Sequence, residues 1–132
     1  MATHTAAYRR EQARAAYLAR LANCPTHRLL DRIGDKWVSL VLKELADGPR
    51  RYGDLARAIA GVTQKMLTQT LRLLERDGLV SRVVTASVPT RVDYRLTPLG
   101  ESLLPVMHVV TQWAEEHIDE IDAARRSSGA GS

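Results

Sequence analysis

Residues 61–82 read GVTQKMLTQTLRLLERDGLVSR, and the two sides of this stretch ask for different surroundings. Leu67, Leu71 and Leu74 recur at spacings of three and four, so one face of a helix is apolar and has to be covered. Thr63 is placed to cap the first turn, and Asp77-Gly78 to end the last. The opposite face gathers Lys65, Thr68, Gln69, Arg72 and Arg76, with Gln64 in the first turn. Burying the leucines drives these polar and basic side chains outward together.

Outward from that helix, the chain before it is helical by pattern. Residues 6–22 hold Ala, Arg, Gln and Leu without a breaker, with a weak apolar stripe through Ala7, Leu18 and Leu21. Pro25 suits the first turn of a second short helix that ends near Gly34. Asp35 then caps a third, KWVSLVLKELADG, with Trp37, Val38, Val41, Leu42 and Leu45 on its buried face and Gly48-Pro49 as its stop. A fourth runs from about Gly53 to Ile59, and Gly61 breaks it before Thr63.

After Gly78 the period falls to two. Val80, Arg82 and Val84 alternate with Ser81, Val83 and Thr85; Val92, Tyr94 and Leu96 alternate with Arg91, Asp93 and Arg95; ASVPT lies between. A hairpin over 79–96 is expected. Thr97 as cap and Pro98 at the first helical position open a last helix to about Ala124, and RRSSGAGS reads as a disordered tail. The fold class is mainly α with a small β-hairpin: a winged helix-turn-helix with terminal dimerisation helices. Its divisions are an extension over 1–23, a core over 24–97, a dimerisation helix over 98–124 and a tail over 125–132.

Charge divides as sharply as structure. Residues 1–95 hold 17 Lys or Arg against 9 Asp or Glu, whereas 96–124 hold no basic residue and six acids. Such asymmetry suits a chain of which one part meets a polyanion and another faces away from it. Double-stranded DNA is the expected partner, with a pseudo-palindromic site if the protein is twofold. An α-helix matches the width of the major groove. Gln64, Lys65 and Thr68 lie in the turns nearest the base edges, with Thr63 and Gln69 beside them, while Arg72 and Arg76 are better placed for phosphates. Thr90 and Arg91 at the hairpin tip, and Arg51 ahead of the fourth helix, complete the candidate DNA-binding set.

Other functional classes fit less well. A single cysteine excludes an internal disulfide, and Cys24 with His27 gives too few ligands for a metal. Cys24, His27 and Asp31 fall on two turns of one helix, so they cannot converge as a triad, and no enzyme and no cofactor is expected. No apolar run approaches the length of a bilayer span, and the opening MATHTAAYRREQARAAY lacks the apolar core of a secretory signal, so the expected location is the cytoplasm, away from membranes. The rival is a winged helix that binds another protein and never DNA; it has no need of a basic outward stripe.

Motifs along the chain also resemble a family. CPTHRLLDRIGDKWVSLVLKELADGPRRYGDL, VTQKMLTQTLRLLERDGLVSRVV and VPTRVDYRLTPLGESL are similar, in order, to HxlR-type transcriptional regulators, winged-helix relatives of the MarR group. The resemblance spans about residues 24–113 and implies a dimeric bacterial DNA-binding regulator with the hairpin as wing. It departs at Leu73, where the family more often carries a polar residue, and in a longer segment before Cys24.

The last helix predicts a homodimer without that resemblance. Leu103, Met107, Val110, Ala114, His117 and Ile121 step along one face, widened by Leu99, Val106 and Trp113, and one small domain has little left to cover it. Cys24 precedes Pro25 at a helix start, where the dipole favours a thiolate and Arg28 is one turn away, which makes it a candidate redox sensor and equally a small core residue. Trp37, Met107 and Trp113 are candidates to line a cavity for a small-molecule effector, and equally plain core.

Overall fold

The structure is a computed structural model, described over residues 5–130. The ends of the expected extension and tail, 1–4 and 131–132, lie outside the described residues. Elements follow in the order α1 (Ala6–Asn23), α2 (Pro25–Ile33), α3 (Lys36–Leu45), β1 (Arg50–Arg51), α4 (Tyr52–Ala58), α5 (Gln64–Arg76), β2 (Val80–Thr85), β3 (Arg91–Leu96) and α6 (Pro98–Ala130).

The chain divides into two compact units after Ser39. In the first, α1 and α2 are joined by Cys24 alone and touch one another. Neither buries a residue: Tyr8, Tyr17, Leu18, Leu29 and Leu30 are all exposed. Of the weak stripe of α1, Ala7 and Leu18 are exposed and Leu21 is half-buried.

The second unit holds the winged helix-turn-helix. Its core is Val41, Leu42 and Leu45 of α3, Leu55 of α4, Ile59, then Leu67, Leu71 and Leu74 of α5, closed by Val80, Leu96 and Leu103. Each such side chain contributes about 1.5–3 kcal/mol by leaving water. Asp35 caps α3, its Oδ1 accepting from the Trp37 N–H at 2.8 Å and the Val38 N–H at 3.2 Å. Trp37 itself is half-buried, less than its expected place on a buried face requires, and Lys36 reaches over its ring with Nζ 4.8 Å from the centroid. Gly48 takes φ 139° after α3 and Gly61 takes φ 85° between α4 and α5, which makes the two bends cheap for glycine alone.

Two corrections concern elements. The hairpin is the larger part of a three-stranded antiparallel sheet of order β1-β3-β2, since Arg50 and Arg51 pair with Tyr94 and Asp93. Two residues carry no alternation to read; the open edge of β3 recruits them. The tail is the second. α6 continues six residues past Ala124, so 125–130 are helical rather than disordered. Ala123, Ala124, Arg125 and Arg126 are strong helix formers, and no proline follows to stop them. The one proline inside α6, Pro105, forgoes a single backbone bond.

Candidate nucleic-acid interface

The α4–α5 pair and the hairpin set the geometry of the expected DNA face. Val62 donates to the Ile59 carbonyl at 3.3 Å in the turn, and Thr63 then caps α5, its Oγ1 accepting from the Met66 N–H at 3.1 Å. With Leu67, Thr70, Leu71 and Leu74 buried, the register of α5 leaves Gln64, Lys65, Gln69, Arg72 and Arg76 exposed on the opposite side. Thr68 differs. It is half-buried, with Oγ1 3.2 Å from the hydroxyl of Tyr52, which also donates to the Gln64 carbonyl at 3.0 Å. Tyr52 therefore fixes the first turns of α5 from α4. Sequence reading overlooked it because a tyrosine at a helix start has no periodic signature; its partners lie 12 and 16 residues away.

The wing is formed by β2 and β3 in the register Val80↔Leu96 to Thr85↔Arg91. Thr90 is exposed at its tip, where Ser87 Oγ donates to the Pro89 carbonyl at 2.6 Å across a cis Val88–Pro89 bond. Arg91, expected to contact DNA, is ion-paired within its own strand. Its Nε donates to Asp93 at 3.0 Å, on the same side of β3 two residues along, while the side chain stays half-exposed. Arg51 is exposed at the N-terminus of α4. Arg57 is engaged with Asp54 at 2.5 Å, and its guanidinium holds that carboxyl below the ordinary carboxylate range. Arg82 and Arg95, both exposed on the strands, add basic surface that the sequence reading did not single out.

The nine residues expected at a subunit contact do not share one environment. Leu103 is buried in its own core, because α6 rests on β3 through that side and Leu103 lies on it. Met107, Ala114 and His117 are half-buried, whereas Leu99, Val106, Val110, Trp113 and Ile121 are exposed. Val109 and Ile118 join them, unremarked in the sequence because they fall off the three-four step. Trp113 stacks on His117 at 4.5 Å between centroids. Met107 lines a groove of about 260 Å³ with Leu104 and Thr111. Cys24 is half-exposed, at once the C-cap of α1 and the N-cap of α2, not the buried thiol of a packed core. No helix among the described residues is long and apolar enough to cross a membrane.

The comparisons agree with this geometry. Residues 32–122 match the HxlR-like helix-turn-helix family. The HTH-type transcriptional regulator YdeP of Bacillus subtilis is 41% identical over 107 residues, 79% of this chain and 84% of its own. YtfH of Escherichia coli, of the same description, is 38% identical over 107 residues, 81% of this chain and 85% of its own. Among solved structures, the redox regulator HypR in its reduced form superposes with a TM-score of 0.71 at 37% identity, covering 76% of this chain and 99% of that one. The reduced transcriptional regulator YodB of B. subtilis gives 0.66 at 33% identity, covering 70% and 92%. A helix-turn-helix with a wing, a basic outward face on its second helix and these relatives converge on one identity: the chain belongs to the HxlR-like helix-turn-helix family and is a DNA-binding transcriptional regulator.

Proposed function

We propose that this regulator acts as a cytoplasmic homodimer on double-stranded DNA, with α5 in the major groove and the β2–β3 wing on the adjoining backbone or minor groove. The observation that carries the reading is the outward side of α5, where Gln64, Lys65, Gln69, Arg72 and Arg76 are exposed while four neighbours on the other side are buried. Gln64, Lys65 and Thr68 then meet base edges, and Arg72 and Arg76 meet phosphates. The acids of α6 keep that helix away from DNA, and its exposed apolar residues pair with those of a second subunit, so two copies of α5 reach half-sites about one helical turn apart.

The test is binding to an operator duplex and a scrambled one at several salt concentrations. Gln64→Ala and Thr68→Ala relax the preference between the two, each base contact being worth about 1–3 kcal/mol, whereas Arg72→Ala weakens both alike. Equal losses on both duplexes for all three variants would remove α5 from the groove. No binding to any duplex would favour a protein partner instead.

A response to oxidants or electrophiles is supported by the half-exposed Cys24 and by the similarity to HypR, described as a redox regulator. With one cysteine per chain, oxidation by a reagent such as diamide joins two Cys24 thiols from different subunits, or one Cys24 to a small thiol, with the two protons and two electrons passing to the reagent. Operator binding by wild type and Cys24→Ser, with oxidant and then with reductant, decides it. Identical behaviour of the two proteins assigns the signal to another site.

A further inference from the structure

Between α5 and the sheet lies a cleft of about 410 Å³. Its origin is a register position. Val80 and Leu96 form the last buried cross-strand pair, and the next pair on the same side, two residues along each strand, is Arg82 with Tyr94. A guanidinium does not enter an apolar core unpaired, so packing of α5 on the sheet stops at this level and the surfaces part. From α5, Thr68, Arg72 and Glu75 face the gap, and Tyr52 of α4 joins them.

Tyr52 and Thr68 are hydrogen-bonded to one another, but the charged groups of the cleft do not satisfy one another. Among the described residues, neither Arg72 nor Arg82 forms an ion pair with Glu75. Two guanidiniums offer donors only, Glu75 accepts only, and the Tyr94 hydroxyl does either, whereas those of Tyr52 and Thr68 are engaged with each other and, from Tyr52, with the Gln64 carbonyl. That inventory discriminates between ligands. A DNA phosphate would satisfy the arginines and set a like charge against Glu75, for the deoxyribose of a backbone has no free hydroxyl to donate to it. A small anion that also carries hydroxyls satisfies both kinds of group at once. The volume falls within the range of about 300–1,000 Å³ typical of small-molecule sites.

We propose that this cleft binds a small hydroxylated anion, a sugar phosphate or a polyhydroxy acid, with Arg72 and Arg82 holding the anionic group and Glu75 accepting from a hydroxyl. Since Thr68 and Arg72 stand on the DNA-facing helix as well, a filled cleft competes with the operator. That competition rests on the placement of α5 in the groove; the binding itself does not.

The experiment uses the full chain without DNA, titrated with ribose 5-phosphate, gluconate, inorganic phosphate and ribose while NMR follows the rings of Tyr52 and Tyr94. The hydroxylated anions shift both rings saturably and bind about tenfold tighter than phosphate or ribose, the worth of one hydrogen bond to a charged group. Arg82→Gln, at an exposed position that leaves the core intact, abolishes the shifts. Glu75→Gln brings ribose 5-phosphate and inorganic phosphate together in affinity. Absence of a saturable shift with either hydroxylated anion at millimolar concentration would overturn the site, as would inorganic phosphate binding the wild type as tightly as ribose 5-phosphate. In a second arm ribose 5-phosphate releases the operator from wild type. Saturable binding with the operator retained would overturn the competition while leaving the ligand site standing.

Discussion

The hydroxyl of Tyr52 sits 3.2 Å from Oγ1 of Thr68 and 3.0 Å from the carbonyl of Gln64, so one side chain from α4 holds two positions of α5 that are proposed to read bases. Tyr52→Phe keeps the ring and removes both contacts. Stability falls by about 0.5–1.5 kcal/mol, the usual net worth of such hydrogen bonds, and discrimination falls at the base pair nearest Thr68 because its rotamer is no longer fixed. Urea midpoints and binding to single-base operator variants measure the two effects. An unaltered midpoint with unaltered discrimination would show that the hydroxyl orders nothing.

At the wing, Asp93 restrains Arg91 through contacts of 3.0 and 3.3 Å to its Nε. Arg91→Ala makes the salt dependence of duplex binding shallower by about one unit, the loss of one phosphate contact. Asp93→Asn acts in the opposite direction, releasing the arginine and removing a negative charge, so affinity rises at low salt. Titrations of both variants between low and physiological salt check the pair; parallel slopes for both and the wild type would place Arg91 in solvent.

Gly100 marks the closest approach of α6 to the chain that leaves α5, since a Cβ there would fall inside contact distance of the Leu79 carbonyl oxygen and crowd Leu96. Gly100→Ala therefore forces a backbone shift and costs about 1–3 kcal/mol, the range for overpacking a tight site. Thermal unfolding reports it. A midpoint equal to that of wild type would mean that α6 lifts off without penalty.

Val110 is exposed within one subunit, so Val110→Glu leaves the monomer's core intact. In a dimer the same change buries a carboxylate beside its twofold mate, a loss of several kcal/mol. Sedimentation at micromolar concentration distinguishes a dimeric wild type from a monomeric, still helical variant. A monomeric wild type would end the two-half-site arrangement.

What the sequence made legible were features with a local cause. Asp35 and Thr63 were read as caps because a short acceptor before an apolar period has few other uses, and both accept the expected N–H groups. The two long strands and the buried side of α5 followed from period alone. Features made by distant partners were not legible. β1 exists because β3 offers an edge, Tyr52 matters because α5 passes over it, and Arg91 is restrained because pleating sets Asp93 beside it. Leu103 and Val110 look alike on a helical wheel; only the position of β3 decides that the first is core and the second is surface. Arg82 did leave a trace, as a charge at an inward position of an alternating strand.

Thr97 joins the two ends of this arrangement. Its Oγ1 donates to the Gly78 carbonyl at 2.5 Å and accepts from the Gly100 N–H at 3.1 Å, while its own N–H donates to the Leu79 carbonyl at 3.1 Å. The residue that begins α6 is thus pinned to the turn that finishes α5. In the proposed dimer, a pivot of α6 against a sister helix would drag the tail of α5 along, as a crank turns its shaft, with no intervening loop needed to relay the motion. Whatever strained the proposed seam between subunits would then be felt by α5 as a tilt.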